Sequence, residues 1–195
     1  MKRITTNEKA VALKVLNAAF SANPGVLYVA KKDINLLARI DVLLAYCLHI
    51  AMNKKGAFIS SDNKGVVLIF DSHEKQSLLD GLRGYIKLGN DCIGWDRAPK
   101  IILRQRKILK MRYKPRHVYC WMIGVEDHKN GLTSIREMRD FIFDLSSRKQ
   151  LPIGAETTMS ENLSLYKRYG FSIYKTWEST QDNMTTWFIK REHNA

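Results

Sequence analysis

Apolar residues recur along the chain in two rhythms, and the rhythm changes with position. Near the start, Thr5 and Glu8 have capping-box spacing and an apolar run from Ala10 to Phe20 follows, which predicts a helix. Asn23-Pro24-Gly25 is a breaker cluster that should end it. A second helix is predicted over roughly Asn35 to Met52, and Lys54-Lys55-Gly56 reads as a turn. Ala57–Ser60 and Val66–Phe70 are short β-rich runs around Ser61-Asp62-Asn63-Lys64-Gly65, the pattern of a hairpin. Residues 73 to 88 read as helical. Residues 97 to 116 read as an exposed helix ending near Pro115.

The second half has the sharper pattern. His117 to Val125 is β-branched, aromatic and almost continuously apolar, as expected of a strand buried on both faces. After a polar loop, Ile135, Met138, Ile142 and Leu145 recur at spacings of three and four, the stripe of an amphipathic helix. Ser134 and Glu137 have the spacing of a capping box at its start. Pro152–Thr157 predicts a strand, Ser160–Arg168 a short helix capped by Gly170, and Phe171–Trp177 and Thr185–Lys190 two last strands. The 195 residues, without repeats or low-complexity linkers, are expected to form one mixed α/β domain spanning residues 1–195.

Composition narrows the setting. Hydrophobic residues are 45% and charged residues 26%, which excludes a disordered or fibrous chain. Cys47, Cys92 and Cys120 are odd in number and form no C-x-x-C pair, so free thiols in a cytoplasmic protein are expected, with no metal site. The first residues, Met1-Lys2-Arg3-Ile4, lack the apolar stretch of a signal peptide. The apolar stretch from Ile34 to Met52 contains Arg39, Asp41 and His49 and reads as a core helix, so no membrane partner is expected. The formal charge of +13 favours phosphate-bearing partners in general: nucleic acid, an anionic surface or a phosphorylated cofactor. Residues 97 to 116 hold nine Lys or Arg and no acid, mixed with Ile101, Ile102, Ile108 and Leu109. This run is read as a solvated face; with Tyr113 its only aromatic, nucleic acid is the weaker alternative.

Two segments carry a resemblance. Trp121-Met122-Ile123-Gly124-Val125 leads into Glu126-Asp127-His128-Lys129-Asn130-Gly131-Leu132-Thr133-Ser134 and then a helix. Downstream stands Asn162-Leu163-Ser164-Leu165-Tyr166, followed by Gly170-Phe171. This pattern resembles the GNAT superfamily of N-acetyltransferases, and Gly154-Ala155-Glu156-Thr157 resembles the family's strand between the two segments. The resemblance implies a central mixed, mostly antiparallel twisted sheet, flanked by helices and splayed between its two central strands. It implies acetyl-CoA as co-substrate, a primary amine of unknown identity as acceptor, and direct attack in a ternary complex.

The resemblance also implies roles for residues. Ile123, Gly124 and Val125 would pair through their backbone with the pantetheine arm, as an added strand does. Lys129, Asn130, Gly131, Leu132, Thr133, Ser134, Ile135 and Arg136 would hold the pyrophosphate, which suits the free N–H groups and positive end of a helix. Thr133 and Ile135 stand where the family carries small residues. Tyr166 would donate a proton to the departing CoA thiolate, and Asn162 would bond the pantetheine amides. Glu156 is a candidate base toward the amine; His117 and His128 are less favoured ones. Two other readings stay open: a non-catalytic acyl-CoA-binding or interaction protein on the same fold, and a basic nucleic-acid-binding module.

Overall fold

A computed structural model describes residues 1–74, 84–127 and 131–193. Seven strands form one sheet in the order β1-β2-β3-β4-β5-β7-β6: β1 (Lys2–Arg3), β2 (Ala57–Ile59), β3 (Gly65–Asp71), β4 (Val118–Val125), β5 (Ile153–Thr157), β6 (Ser172–Ser179) and β7 (Met184–Arg191). Every neighbouring pair is antiparallel except β4 and β5. This is the mixed, mostly antiparallel sheet that was expected. The two-residue β1 gave no periodic signal from sequence and was missed; it pairs Lys2 with Ile59 and Arg3 with Phe58.

Helices cover both faces. On one face lie α1 (Lys9–Phe20), α2 (Pro24–Val29) and α3 (Leu36–Asn53), joined through a core of Leu16, Ile40, Leu44, Leu48, Val66 and Leu68. Burying each such aliphatic side chain contributes roughly 1.5–3 kcal/mol, so α3 is held by its inner stripe. On the other face, α5 (Leu132–Lys149) packs Met138 and Ile142 against Val67, Ile69, Val118, Cys120, Ile153 and Ala155. The short α6 (Leu163–Arg168) follows a 3-10 turn at Ser160–Asn162. It ends as expected at Gly170, whose φ of 81° lets Phe171 N–H bond back to the Tyr166 carbonyl.

Three expectations require correction. Asn23-Pro24-Gly25 does not merely stop α1; it starts α2. The Asn23 side chain accepts from the Gly25 and Val26 amides, and Pro24 takes the first helical position, where its missing N–H costs nothing. Ser134 and Glu137 form no capping box. Helix α5 begins earlier, at Leu132, so Ser134 falls inside it and turns inward. Its hydroxyl donates to Asp62 at 2.7 Å, while Glu137 takes the Met1 ammonium at 2.6 Å and the Ser61 amide and hydroxyl at 2.9 Å. Burial alone would raise the Asp62 pKa, but hydrogen bonds from Ser60, Ser134 and the Lys64 amide outweigh it and hold it below the ordinary value. These bonds tie α5 to the β2–β3 hairpin.

The basic run forms α4 (Ala98–Met111), ending before Pro115, and it is only partly a solvated face. Ile108 packs with Trp177 and Phe188 over the C-terminal strands. Arg104 lies 5.1 Å from the Tyr28 ring and 5.4 Å from the Trp177 ring, with Asp182 2.6 Å away. Helix α4 therefore links α2 to the β6–β7 hairpin. Of the helix expected over 73–88, residues 75–83 lie outside the described residues; Gly84–Leu88 are helical and run into a π-helical turn at Gly89–Ile93.

Candidate functional site: the fork between β4 and β5

β4 and β5 pair only from Val118 with Ile153 to Cys120 with Ala155. Beyond Cys120, β4 continues to Val125 and stays paired with β3, while β5 runs on to Thr157 paired with β7. The two strands therefore part at Cys120 and Ala155. A bulge marks the same place: Leu68 pairs with Met122 and Ile69 with Cys120, leaving Trp121 as the extra residue. An extra residue on one strand bends it and raises its twist, which turns β4 away from β5. The β5-facing edge of Trp121–Val125 has no strand against it among the described residues.

The residues proposed for an extended ligand arm, Ile123, Gly124 and Val125, lie on that free edge. Gly124 is glycine for a different reason. A Cβ there would meet the Ala19 Cβ at 2.7 Å and the Phe20 ring at 2.9 Å, so its side-chain space belongs to α1.

The mouth of the fork is the start of α5. Gly131 precedes the helix and supplies no side-chain cap. A Cβ on it would stand 2.5 Å from the Asp127 carbonyl oxygen, so Gly131 sits too close to Asp127 for any side chain. The Leu132, Thr133 and Ser134 amides have no hydrogen-bond partner among the described residues, whereas Ile135 N–H bonds to the Gly131 carbonyl. The first turn carries no acid of its own; the one carboxylate that reaches it among the contacts described is Asp62, at the Ser134 hydroxyl. Ile135 is half-buried against the core, not turned toward the opening; Thr133 and Arg136 are exposed. Ser134 can contribute only its amide, since its hydroxyl belongs to Asp62. Lys129, Asn130 and His128 lie outside the described residues.

Tyr166 and Asn162 stand one turn apart beside the fork. The Tyr166 ring packs on the α5-side core and meets Phe171 edge-on at 5.5 Å. Burial, and then the nearby Cys120 thiol, push its pKa up to about 12. Its hydroxyl and the Asn162 side-chain carboxamide have no hydrogen-bond partner among the described residues, while the Asn162 backbone N–H donates to the Met159 carbonyl.

Glu156 lies on the opposite face, just past the last β4–β5 pair, and it is not free. Arg112 Nε donates to Oε1 at 2.5 Å, and the Tyr119 hydroxyl donates to Oε2 at 2.6 Å. The Arg112 guanidinium also lies 4.0 Å from the Tyr119 ring centre. Burial, then the Glu156 charge, push the Tyr119 phenol well above its ordinary value. Arg112 and Tyr119 were missed as site residues. The signal available was the cation run itself: with no acid inside it, any carboxylate partner had to come from elsewhere in the fold. His117 is fully enclosed; its Nδ1 stands 2.8 Å from the Pro115 carbonyl, its Nε2 lacks a partner, and burial lowers its pKa. It is a packed residue rather than a base at the fork. Among the described residues no cluster of His, Cys, Asp or Glu could hold a metal ion.

No family model matches this sequence, and no curated protein matches it. Solved structures match over nearly the whole chain. One is a Corynebacterium glutamicum protein described as histone acetyltransferase HPA2 and related acetyltransferase, with 15% identity, a TM-score of 0.67, and coverage of 100% of this chain and 96% of that one. Another is arylalkylamine N-acetyltransferase 2 from Aedes aegypti, with 12% identity, a TM-score of 0.63, and coverage of 99% and 98%. The chain has the GNAT acetyltransferase fold. A third structure with this fold, the NatC complex bound to Gag peptide and CoA, has 13% identity, a TM-score of 0.55, and coverage of 99% and 97%. At such identities the likeness is one of GNAT architecture, and the chemistry must be argued from this chain's own residues.

Proposed function

We propose that the chain transfers an acetyl group from acetyl-CoA to a primary amine by direct attack in a ternary complex. The parting of β4 from β5 at Cys120 and Ala155, with the Tyr166 phenol beside it, carries this reading. The pantetheine arm runs along the free edge of Trp121–Val125, and the pyrophosphate takes the uncapped amides of Leu132–Ser134 with Arg136 close by. Asn162 bonds the arm from the other side of the fork. The GNAT neighbours, one of them holding CoA, support the same cofactor.

The amine nitrogen attacks the thioester carbonyl, the carbon–sulfur bond breaks, and the proton the nitrogen loses ends on the CoA sulfur. A phenol at about 12 keeps its proton against a thiol of ordinary pKa about 8.5. Tyr166 therefore stabilises the departing thiolate chiefly as a hydrogen-bond donor, and solvent completes the proton transfer. Glu156 acts toward the amine through water, because its oxygens already accept from Arg112 and Tyr119. Only the free amine is nucleophilic, so the rate should rise with pH as the acceptor ammonium ionises. The buried, unpaired thiols of Cys47, Cys92 and Cys120 fit a reducing cytoplasmic setting.

Release of CoA thiol, followed with acetyl-CoA and a panel of small amines, amino sugars and peptides, tests the proposal. Amine-dependent release supports it. The Arg112–Glu156 ion pair favours a second reading, cofactor binding without turnover. Calorimetric binding of acetyl-CoA with no amine giving release would select that second reading.

A further inference from the structure

Helix α4 presents two unlike sides. Inward, Ala98, Ile101 and Ile108 are buried and Arg104 is clamped by Asp182. Outward, Ile102, Leu103 and Leu109 are 46%, 65% and 45% exposed. Lys100, Arg106, Lys107 and Lys110 stand among them, and no acid occurs on the helix. None of these four cations has a carboxylate partner among the described residues; Lys107 lies 4.6 Å over Trp177 and Lys100 lies 5.6 Å over Tyr28. At about 100° per residue, Ile102 and Leu109 share one line along the helix and Leu103 and Lys110 another, with Arg106 between them. Aliphatic and cationic groups are thus interleaved on one continuous outward strip.

Within the chain, Lys107 and Lys100 gain ring contacts with Trp177 and Tyr28, but no carboxylate among the described residues pairs with any of the four cations and the three aliphatics stay largely in solvent. Aliphatic side chains held in water forgo burial, and like charges without a carboxylate between them repel one another. A nucleic acid would take the cations through its phosphates but offers the aliphatics nothing. An anionic bilayer surface takes both: headgroups pair with Lys and Arg while Leu and Ile enter the acyl boundary. We propose that the outward strip of α4 is a peripheral docking surface for an anionic lipid bilayer, with the helix lying in the membrane plane. Its 14 residues reach about 21 Å, short of the roughly 30 Å hydrocarbon layer, so it rests on the membrane rather than crossing it. The inference is independent of the acetyl-transfer reading, because it uses none of the residues placed at the fork.

The test is co-sedimentation of the whole chain with vesicles of phosphatidylcholine alone, or with about 30% phosphatidylglycerol, at about 0.1 M salt. The expected result is about tenfold stronger partitioning to the anionic vesicles, lost at high salt and lost in Arg106→Glu/Lys110→Glu. The deciding variant is Ile102→Ser/Leu103→Ser/Leu109→Ser, which keeps the charge and should also weaken binding about tenfold. Equal or absent binding to both vesicle types overturns the proposal. So does full vesicle binding by the triple serine variant, or preferential binding of a single-stranded RNA oligonucleotide that the serine changes leave untouched. Matching circular dichroism spectra and melting curves confirm that the variants fold.

Discussion

Replacing Arg112 with Met should destabilise the fold even though Arg112 belongs to no regular element. The Arg112 and Glu156 side chains are only 20% and 12% exposed, and the Tyr119 hydroxyl shares the same carboxylate. Arg112→Met keeps much of the packing volume but leaves Glu156 with Tyr119 alone. Breaking one side of a fully buried pair costs about 3–5 kcal/mol. Residual solvent access screens this pair, so the cost should be nearer about 2 kcal/mol. For a chain of 195 residues that is a fall in melting temperature of roughly 4–8 °C. The assay is a double-mutant cycle read by thermal and urea denaturation of the wild type, Arg112→Met, Glu156→Gln and the double variant. The double variant should recover part of the loss, since neither charge is then stranded. Strict additivity, or an Arg112→Met variant within about 0.5 kcal/mol of wild type, would refute the reasoning that Glu156 depends on Arg112 for its charge to stay enclosed.

Further predictions address other parts of the site. Tyr166→Phe should lower kcat about a hundredfold while leaving acetyl-CoA affinity within a few-fold, measured by thiol release and calorimetry; unchanged kcat would remove Tyr166 from the mechanism. Gly124→Val should destabilise the fold by about 2 kcal/mol or more, because the Cβ would stand 2.7 Å from the Ala19 Cβ; a wild-type urea midpoint would contradict that packing. Ser134→Ala should raise the pH of acid unfolding. The Asp62 pKa is depressed in the fold, so its contribution is present above the ordinary carboxylate value and lost as pH falls through the lower folded value; removing one donor moves that loss upward. His117 has its pKa lowered by burial, so protonation of the unfolded chain should cost stability as pH falls below about 6.5. His117→Gln should flatten that part of the stability profile, followed by urea unfolding across the range.

Legibility from sequence followed the strength of local signals. The strand from Val118 to Val125 and the helix carrying Met138 and Ile142 were readable because burial on both faces, or along one stripe, forces an apolar rhythm. Gly170 was readable because a helix that must turn into a strand needs positive φ. The capping box at Ser134 and Glu137 misled because its spacing is local while its partners, Asp62, Ser61 and the Met1 ammonium, are distant in sequence. Glu156 could be named from its position near a strand end. That it is bound by Arg112 and Tyr119 depends on α4 crossing the sheet, which no short-range pattern encodes. The bulge at Trp121 has the same origin: it is a mismatch between two strands, not a property of either.

The central claim concerns where a thioester cofactor lies, and a crystal structure of the chain with bound CoA tests it most directly. The account predicts pantetheine hydrogen-bonded along the free edge of Trp121–Val125, pyrophosphate oxygens against the Leu132–Ser134 amides, and sulfur within hydrogen-bond reach of the Tyr166 hydroxyl. CoA bound anywhere else, or β4 and β5 closed on one another past Cys120 and Ala155, would contradict it.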